Sequence, residues 1–240
     1  MSAVLFSVSE GVATVTLNRP ESRNALNLEM CNELISVSQE INSNKEIKLV
    51  LVRANGPVFC AGADLKERQG MTEALVRERR MKGFAAYAAL EALPMPAIAV
   101  VQGPAVGSGC EIAGACDFIV ATPDASFRTP EALRGTVGAT QRLPRILGKR
   151  LAKDMMFTGR TLSAAEAREA GLVSRLVLAL ELEEILSGIK GEILKAPPGS
   201  LRLAKRCIDR GVELDPKGAL DAEIAAIEEQ LASGSWMGKK

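Results

Sequence analysis

Residues 94–117, PMPAIAVVQGPAVGSGCEIAGACD, constrain the chain more than any other stretch. Ala97 to Val101 is an unbroken apolar run held between prolines and a glycine, the pattern of a fully buried strand. Gly103-Pro104 breaks the run. Gly107-Ser108-Gly109 follows, where the backbone bends freely and other groups can approach closely. From Cys110 the small and apolar residues predict a packed helix ending near Asp117. Glu111 does not fit that description. It is a carboxylate at the start of the helix among Gly, Ser, Cys, Ile and Ala, where burying a charge without a reason is costly.

The same strand–turn–helix order recurs along the chain, without a strict sequence repeat. Val4–Val8 and Val12–Leu17 alternate around Glu10-Gly11 and read as a hairpin. Asn27 is a good N-cap for a helix whose Met30, Leu34, Val37 and Ile41 recur at helical spacing. Leu49–Val52 reads as a buried strand, and 58–65 (VFCAGADL) as a small-residue loop entering a helix. A charged helix is predicted over 72–93, with Arg77, Arg79, Arg80 and Lys82 on a solvated face. Phe118–Ala121 reads as a short strand, 125–135 as irregular around Pro130, and Leu151–Phe157 as helical. Ser163 and Glu166 form a capping box for a helix stopping at Gly171, and Val173–Leu178 reads as a last strand. From 181 the pattern is helical, broken at Pro197-Pro198, Gly211 and Pro216. The fold class is therefore α/β, with a core over 1–180 and a mostly helical region over 181–240.

Composition removes many chemistries. The 240 residues contain no histidine, so Ser-His-Asp, Cys-His and H-E-x-x-H sites are excluded and proton transfer falls to carboxylates, Lys, Cys or the single tyrosine, Tyr87. Five cysteines without a C-x-x-C suggest neither a disulfide framework nor a zinc ribbon, so a reducing compartment and no metal site are expected. A net charge of +1 and 3% aromatic content give no basic face or stacking platform, so neither nucleic acid nor membrane is an expected partner. No run approaches the roughly 20 apolar residues of a membrane span, and the first residues lack a signal-peptide pattern. A cytoplasmic protein is expected.

Two small-residue loops, 60–64 and 107–111, each follow a buried strand and lead into a helix. Such junctions either present free N–H groups to a negative charge or merely let elements pack closely, and spacing alone favours the plainer reading. Glu111 and Glu131 are the candidate carboxylate pair, since a partly buried acid has a raised pKa and can act as acid or base near neutrality. The ordinary fate of Glu131 is a loop acid or an ion pair with Arg128 or Arg134. Glu111 has no obvious partner among its sequence neighbours. Cys110 reads as a packing residue. The glycines at 107 and 109 begin a dinucleotide fingerprint, but Ile112 stands where its last glycine belongs.

Six motifs in order, LNRPESRNALN (17–27), FCAGADLKE (59–67), QGPAVGSGCEIAGACDF (102–118), ASFRTPEALRG (125–135), TQRLPRILG (140–148) and TGRTLSAAEAREAGLV (158–173), carry a resemblance. Together they make the chain resemble the enoyl-CoA hydratase/isomerase (crotonase) superfamily, and most of all its two-glutamate hydratases. The resemblance implies a spiral of ββα units with a C-terminal helical region that assembles trimers, usually paired into hexamers. It implies an acyl-CoA thioester as substrate and no cofactor. The oxyanion-hole N–H donors fall on Ala63 and Ser108, the latter at a place often glycine. Glu111 and Glu131 fall on both hydratase glutamates, which hold a water, with Glu131 delivering a proton to C2. Arg23, Ala25 and Leu26 lie where the family contacts CoA, Ala61 where backbone meets the adenine, and Lys66 within reach of a CoA phosphate; for Arg23 and Lys66 a plain solvated charge is an equal reading.

Against the hydratase stand other reactions of the same scaffold, namely isomerisation, specialised dehydration and thioester hydrolysis, and a non-catalytic RNA-binding member. Three departures from the family pattern bear on the pocket. The stretch EALRGTVGAT (131–140) is about three residues shorter than the common form, and Arg128 replaces a glycine after Phe127, both placed beside the acyl pocket by the resemblance. The chain stops after SGSWMGKK, where many relatives continue through a helix closing over CoA, so a more open site or a lid from elsewhere is expected.

Overall fold

The computed structural model describes residues 2–234, so the last six residues, on which the expectation about the lid falls, lie outside the described part. Strands β1 (Val4–Ser9) and β2 (Val12–Leu17) form the expected hairpin, with Ser9 opposite Val12. Glu10 and Gly11 have φ of 50° and 79°, the positive pair that a two-residue hairpin turn demands. Asn27 caps α1 (Leu28–Ser43), its side chain accepting from the Met30 N–H. Next come β3 (Leu49–Ala54), α2 (Glu73–Glu91) and β4 (Ala97–Val101), then β5 (Pro104–Val106), α3 (Ser108–Gly114) and β6 (Phe118–Ala121). After these follow β7 (Ser126–Arg128), α4 (Arg142–Thr158), β8 (Thr161–Ser163), α5 (Ala164–Glu169) and β9 (Arg175–Leu176). The chain closes with α6 (Leu182–Lys195), α7 (Pro198–Gly211) and α8 (Pro216–Ala232).

Two sheets result. The larger has the order β1-β2-β3-β4-β6-β9, parallel from β2 onward; the smaller has the order β5-β7-β8. In the central strands alternate residues serve two cores. Val50, Val52, Ala97, Ala99 and Val101 pack with side chains of α1, α2 and α3, while Leu49, Leu51, Ile98, Val100 and Val120 pack with Leu182, Leu186 and Ile189 of α6. Burial on both faces explains why these strands read as unbroken apolar runs rather than as alternation. The helix α6 is thus the sheet's second cover. Helices α7 and α8 stand further out: α7 has no buried residue and α8 only Ala226. Lys205 ties α7 back to Asp117 at 2.9 Å. No helix among the described residues is long and apolar enough to cross a membrane.

Several elements differ from expectation. The helix predicted from Cys110 begins at Ser108, because Gly107 (φ 51°, ψ −106°) reverses the chain just before it. Helix α4 starts at Arg142 rather than Leu151, with Pro144 in its first turn and a break at Gly148 (φ 75°, ψ 156°). The smaller sheet was not expected, since its three-residue strands are too short to show a period. The solvated face of α2 is half right: Arg77 and Lys82 are exposed, but Arg79 is buried. Its Nε donates to Glu67 at 2.6 Å and its guanidinium to the Leu26 carbonyl. Arg80 donates to Thr136 Oγ1 and to the Val137 carbonyl, fastening the short loop after Glu131 onto α2.

Candidate active site

Two backbone junctions meet at one place. The loop before Ala63 is stitched on one side to residues 23–26, with Ala61 N–H donating to Arg23, Leu26 N–H to Gly62 and Asp64 N–H to Leu26. On the other side Cys60 N–H donates to Pro104, and Val106 N–H to Cys60. In a parallel bridge the residue facing Leu26 has its two neighbours bonded, so its own N–H points away from that partner. That residue is Ala63. Ser108 is the first residue of α3, where helix geometry leaves the N–H unpaired. Among the described residues neither N–H has an internal acceptor. Both residues line an inner cavity of about 90 Å³ and an outer one of about 570 Å³. Glu131, Arg68, Arg80 and Thr136 also border both.

Glu111 lines the inner cavity from α3 and is 5% exposed. Its partner, absent from its sequence neighbourhood, is Arg142 of α4, whose Nη1 donates to Oε2 at 2.7 Å. Arg142 is held in turn by Glu91, at 3.1 Å through Nε and 2.5 Å through Nη2. Its guanidinium lies 5.9 Å from the centroid of the Tyr87 ring. Glu131 reverses the expected pattern, for it forms no ion pair among the described residues. Of its two expected partners, Arg134 makes no ion pair with it, and Arg128 donates instead to the Gly159 carbonyl and borders neither cavity. Each carboxylate keeps one buried oxygen without a hydrogen-bond partner, Oε1 of Glu111 and Oε2 of Glu131.

Burial pushes the Glu111 carboxyl up from its ordinary range, while the Arg142 hydrogen bond and charge pull it back. Burial also pushes Glu131 up; its own N–H opposes this and the charge of Glu111 adds to it. The buried thiols are poor nucleophiles. Burial raises Cys60 to about 12 and Cys31 to about 11, and raises Cys110 as well, whose Sγ donates to the Ala105 carbonyl.

A sequence model described as enoyl-CoA hydratase/isomerase matches residues 7–236. The chain belongs to that family. It is 40% identical over 234 residues to YngF of Bacillus subtilis, covering 95% of this chain and 90% of the other. The crystal structure of an enoyl-CoA hydratase from Bacillus anthracis superposes with a TM-score of 0.91 at 37% identity, covering 94% of this chain and 90% of that one. A Thermobifida fusca structure solved in complex with CoA matches at TM-score 0.90 and 25% identity, covering 98% of this chain and 95% of that one. The fold is the crotonase fold, two sheets followed by C-terminal helices.

Within this family member, the structure gathers Ala63, Ser108, Glu111 and Glu131 around the inner cavity and sets Ala61 at the outer one. Arg23, Ala25, Leu26 and Lys66 border neither. Arg23 and Lys66 are exposed, Ala25 is half-buried, and Leu26 has its side chain in the core. Sequence reasoning missed Arg142, Glu91 and Asn24. The buried Asn24 accepts from Arg19 N–H and donates to the carbonyls of Asn55 and Val58, each at 2.8 Å, fixing the segment that carries 23–26. The only available signal for Arg142 was its place inside the TQRLPRILG motif.

Proposed function

We propose that the protein hydrates a short-chain 2-enoyl-CoA thioester to the 3-hydroxyacyl-CoA. The observation that carries this reading is the pair of buried, unpartnered carboxylate oxygens of Glu111 and Glu131 beside two free N–H groups in one cavity. The thioester carbonyl accepts from Ala63 and Ser108 N–H, so enolate charge develops against fixed dipoles. The two glutamates hold the water. Glu111 takes its proton as oxygen bonds to C3, and Glu131 gives its own proton to C2; a proton returns from Glu111 to Glu131 before the next turnover. Ala61 borders the path to the cavity, and Arg23 is bonded to it through the backbone, which supports a CoA track along 23–26 and 61–66 with Arg23 and Lys66 facing phosphates. Homotrimers, paired or not, are supported by exposed apolar residues on and beside α7 and α8, among them Ile208, Val212, Leu220 and Ile227.

The test is a panel of 2-enoyl-CoA thioesters followed by loss of the conjugated double bond, with Glu111→Gln and Glu131→Gln alongside. Hydration of at least one thioester is expected, and each variant should lose on the order of 10²–10⁴ in turnover. A wild type that hydrates none, or variants that both keep full activity, would sink the assignment.

A further inference from the structure

We propose that Arg142 is a positioning residue that gives the two glutamates their separate duties, keeping Glu111 as proton acceptor and leaving Glu131 as proton donor. This rests on the hydration reading above. Two acids bordering one small cavity cannot both ionise cheaply, so the acid beside a fixed cation gives up its proton first. Among the described residues only Glu111 has such a cation bonded to it. The Arg142–Glu111 contact is 2.7 Å, between side chains 16% and 7% exposed. The guanidinium is held from its other edge by both oxygens of Glu91, a fork that stops it swinging away. Tyr87 lies within cation–π distance of it. Tyr87 and Ser108, whose N–H faces the thioester site, line the same cavity, so the guanidinium stands beside both halves of the machinery.

The charged surroundings of the two acids differ accordingly. Glu111 faces Arg142 from α4, Glu91 and Tyr87 from α2, Glu131 from the loop after β7, and the thiol of Cys110 beside it. Glu131 faces Glu111 and Cys110 from α3, Arg80 from α2 and Arg134 from its own loop, with no guanidinium bonded to it among the described residues. Arg142 occupies Oε2 of Glu111, so the same contact that sets its charge also settles which oxygen remains for the water.

The experiment is the pH dependence of kcat and KM for wild type, Arg142→Gln and Glu91→Gln. A base must be ionised to work, so losing its cation moves the acidic limb of the profile to higher pH. Arg142→Gln should show that displacement and a loss of about 10²-fold in kcat with KM retained. Glu91→Gln, which removes an opposing negative charge and leaves Arg142 in place, should not raise the limb. If Arg142→Gln alone does not fold, the Glu91→Gln/Arg142→Gln double variant, which leaves Glu111 as the one acid deprived of its cation, is read against Glu91→Gln for the same displacement. An infrared titration of the protonated-carboxyl band missing in Glu111→Gln follows the same ionisation without substrate, and should also move to higher pH. An unmoved limb and an unmoved band in a folded variant overturn the proposal while hydration by the wild type stands. A wild type inert to every thioester fails the hydration reading instead, and the infrared titration still decides what Arg142 does.

Discussion

The carboxylate of Glu131 lies against the bare Cα of Gly107: a Cβ at that glycine would stand 2.3 Å from Oε1. Gly107 also holds a φ of 51° that side chains rarely adopt. The turn that begins α3 and the space that receives the second acid are one feature. Gly107→Ala is therefore expected to lower stability by about 1–3 kcal/mol and turnover by about 10²-fold. A urea melt and the enoyl-CoA assay check both, and an alanine variant of wild-type activity would show that Glu131 need not rest there.

Burial raises both glutamates, and this has a signed consequence for stability. An acid whose pKa is raised by folding favours the folded state while protonated, and that advantage is lost as pH rises from the unfolded value through the folded one. Glu131→Gln removes the cost of burying the charge. The variant should melt higher than wild type at alkaline pH, with the difference closing toward acid, as thermal melts across the pH range would show.

For the wild-type reaction, kcat/KM should be bell-shaped. The acidic limb reports ionisation of one acid and the alkaline limb deprotonation of the other, as apparent values of a coupled pair. Because burial raises both, the active window should lie above the ordinary glutamate value of about 4.3. A flat profile across that region would remove the carboxylates from the rate-determining proton transfers.

Arg79 and Arg77 lie two residues apart on α2 and should behave differently. Arg79→Met strands Glu67 and the Leu26 carbonyl and should cost about 1.5–3 kcal/mol. Arg77→Ala, at an exposed position, should stay within about 0.5 kcal/mol of wild type. Equal effects would contradict the buried ion pair.

The exposed apolar side chains of the outer helices give a further prediction. Ile208 is 67% exposed, so Ile208→Glu leaves the fold of one chain untouched while charging the surface that a neighbour would cover. Light scattering on the eluting protein should find trimers or hexamers for wild type and smaller species for the variant. A monomeric wild type would remove the proposed assembly.

How much of this was legible in the residues depended on the range of each signal. Ala97–Val101 and Phe118–Ala121 were legible to the residue because burial on both faces leaves an unbroken apolar run between breakers. The strands of the smaller sheet, three residues each, carry no period and were not. Glu111 stood out because nothing within its own helix explains a charge. Its partner could not be found the same way: Arg142 lies 31 residues on, and only the packing of α4 on α3 brings them together. The reading of Arg79 as solvated failed for a related reason, since a guanidinium among charges looks like surface until Leu26 and Glu67 are seen to close over it.

The loop bearing Ala63 hangs between two other pieces of chain, bridged through Leu26 on one side and through Cys60 to Ala105 on the other. Neither pair is local, so no early fragment of the chain can hold the two N–H groups at their final separation. The proposed thioester site is complete only once all of these segments are docked. Partly folded chains should then be inert instead of weakly active, and denaturant should extinguish catalysis and global structure together.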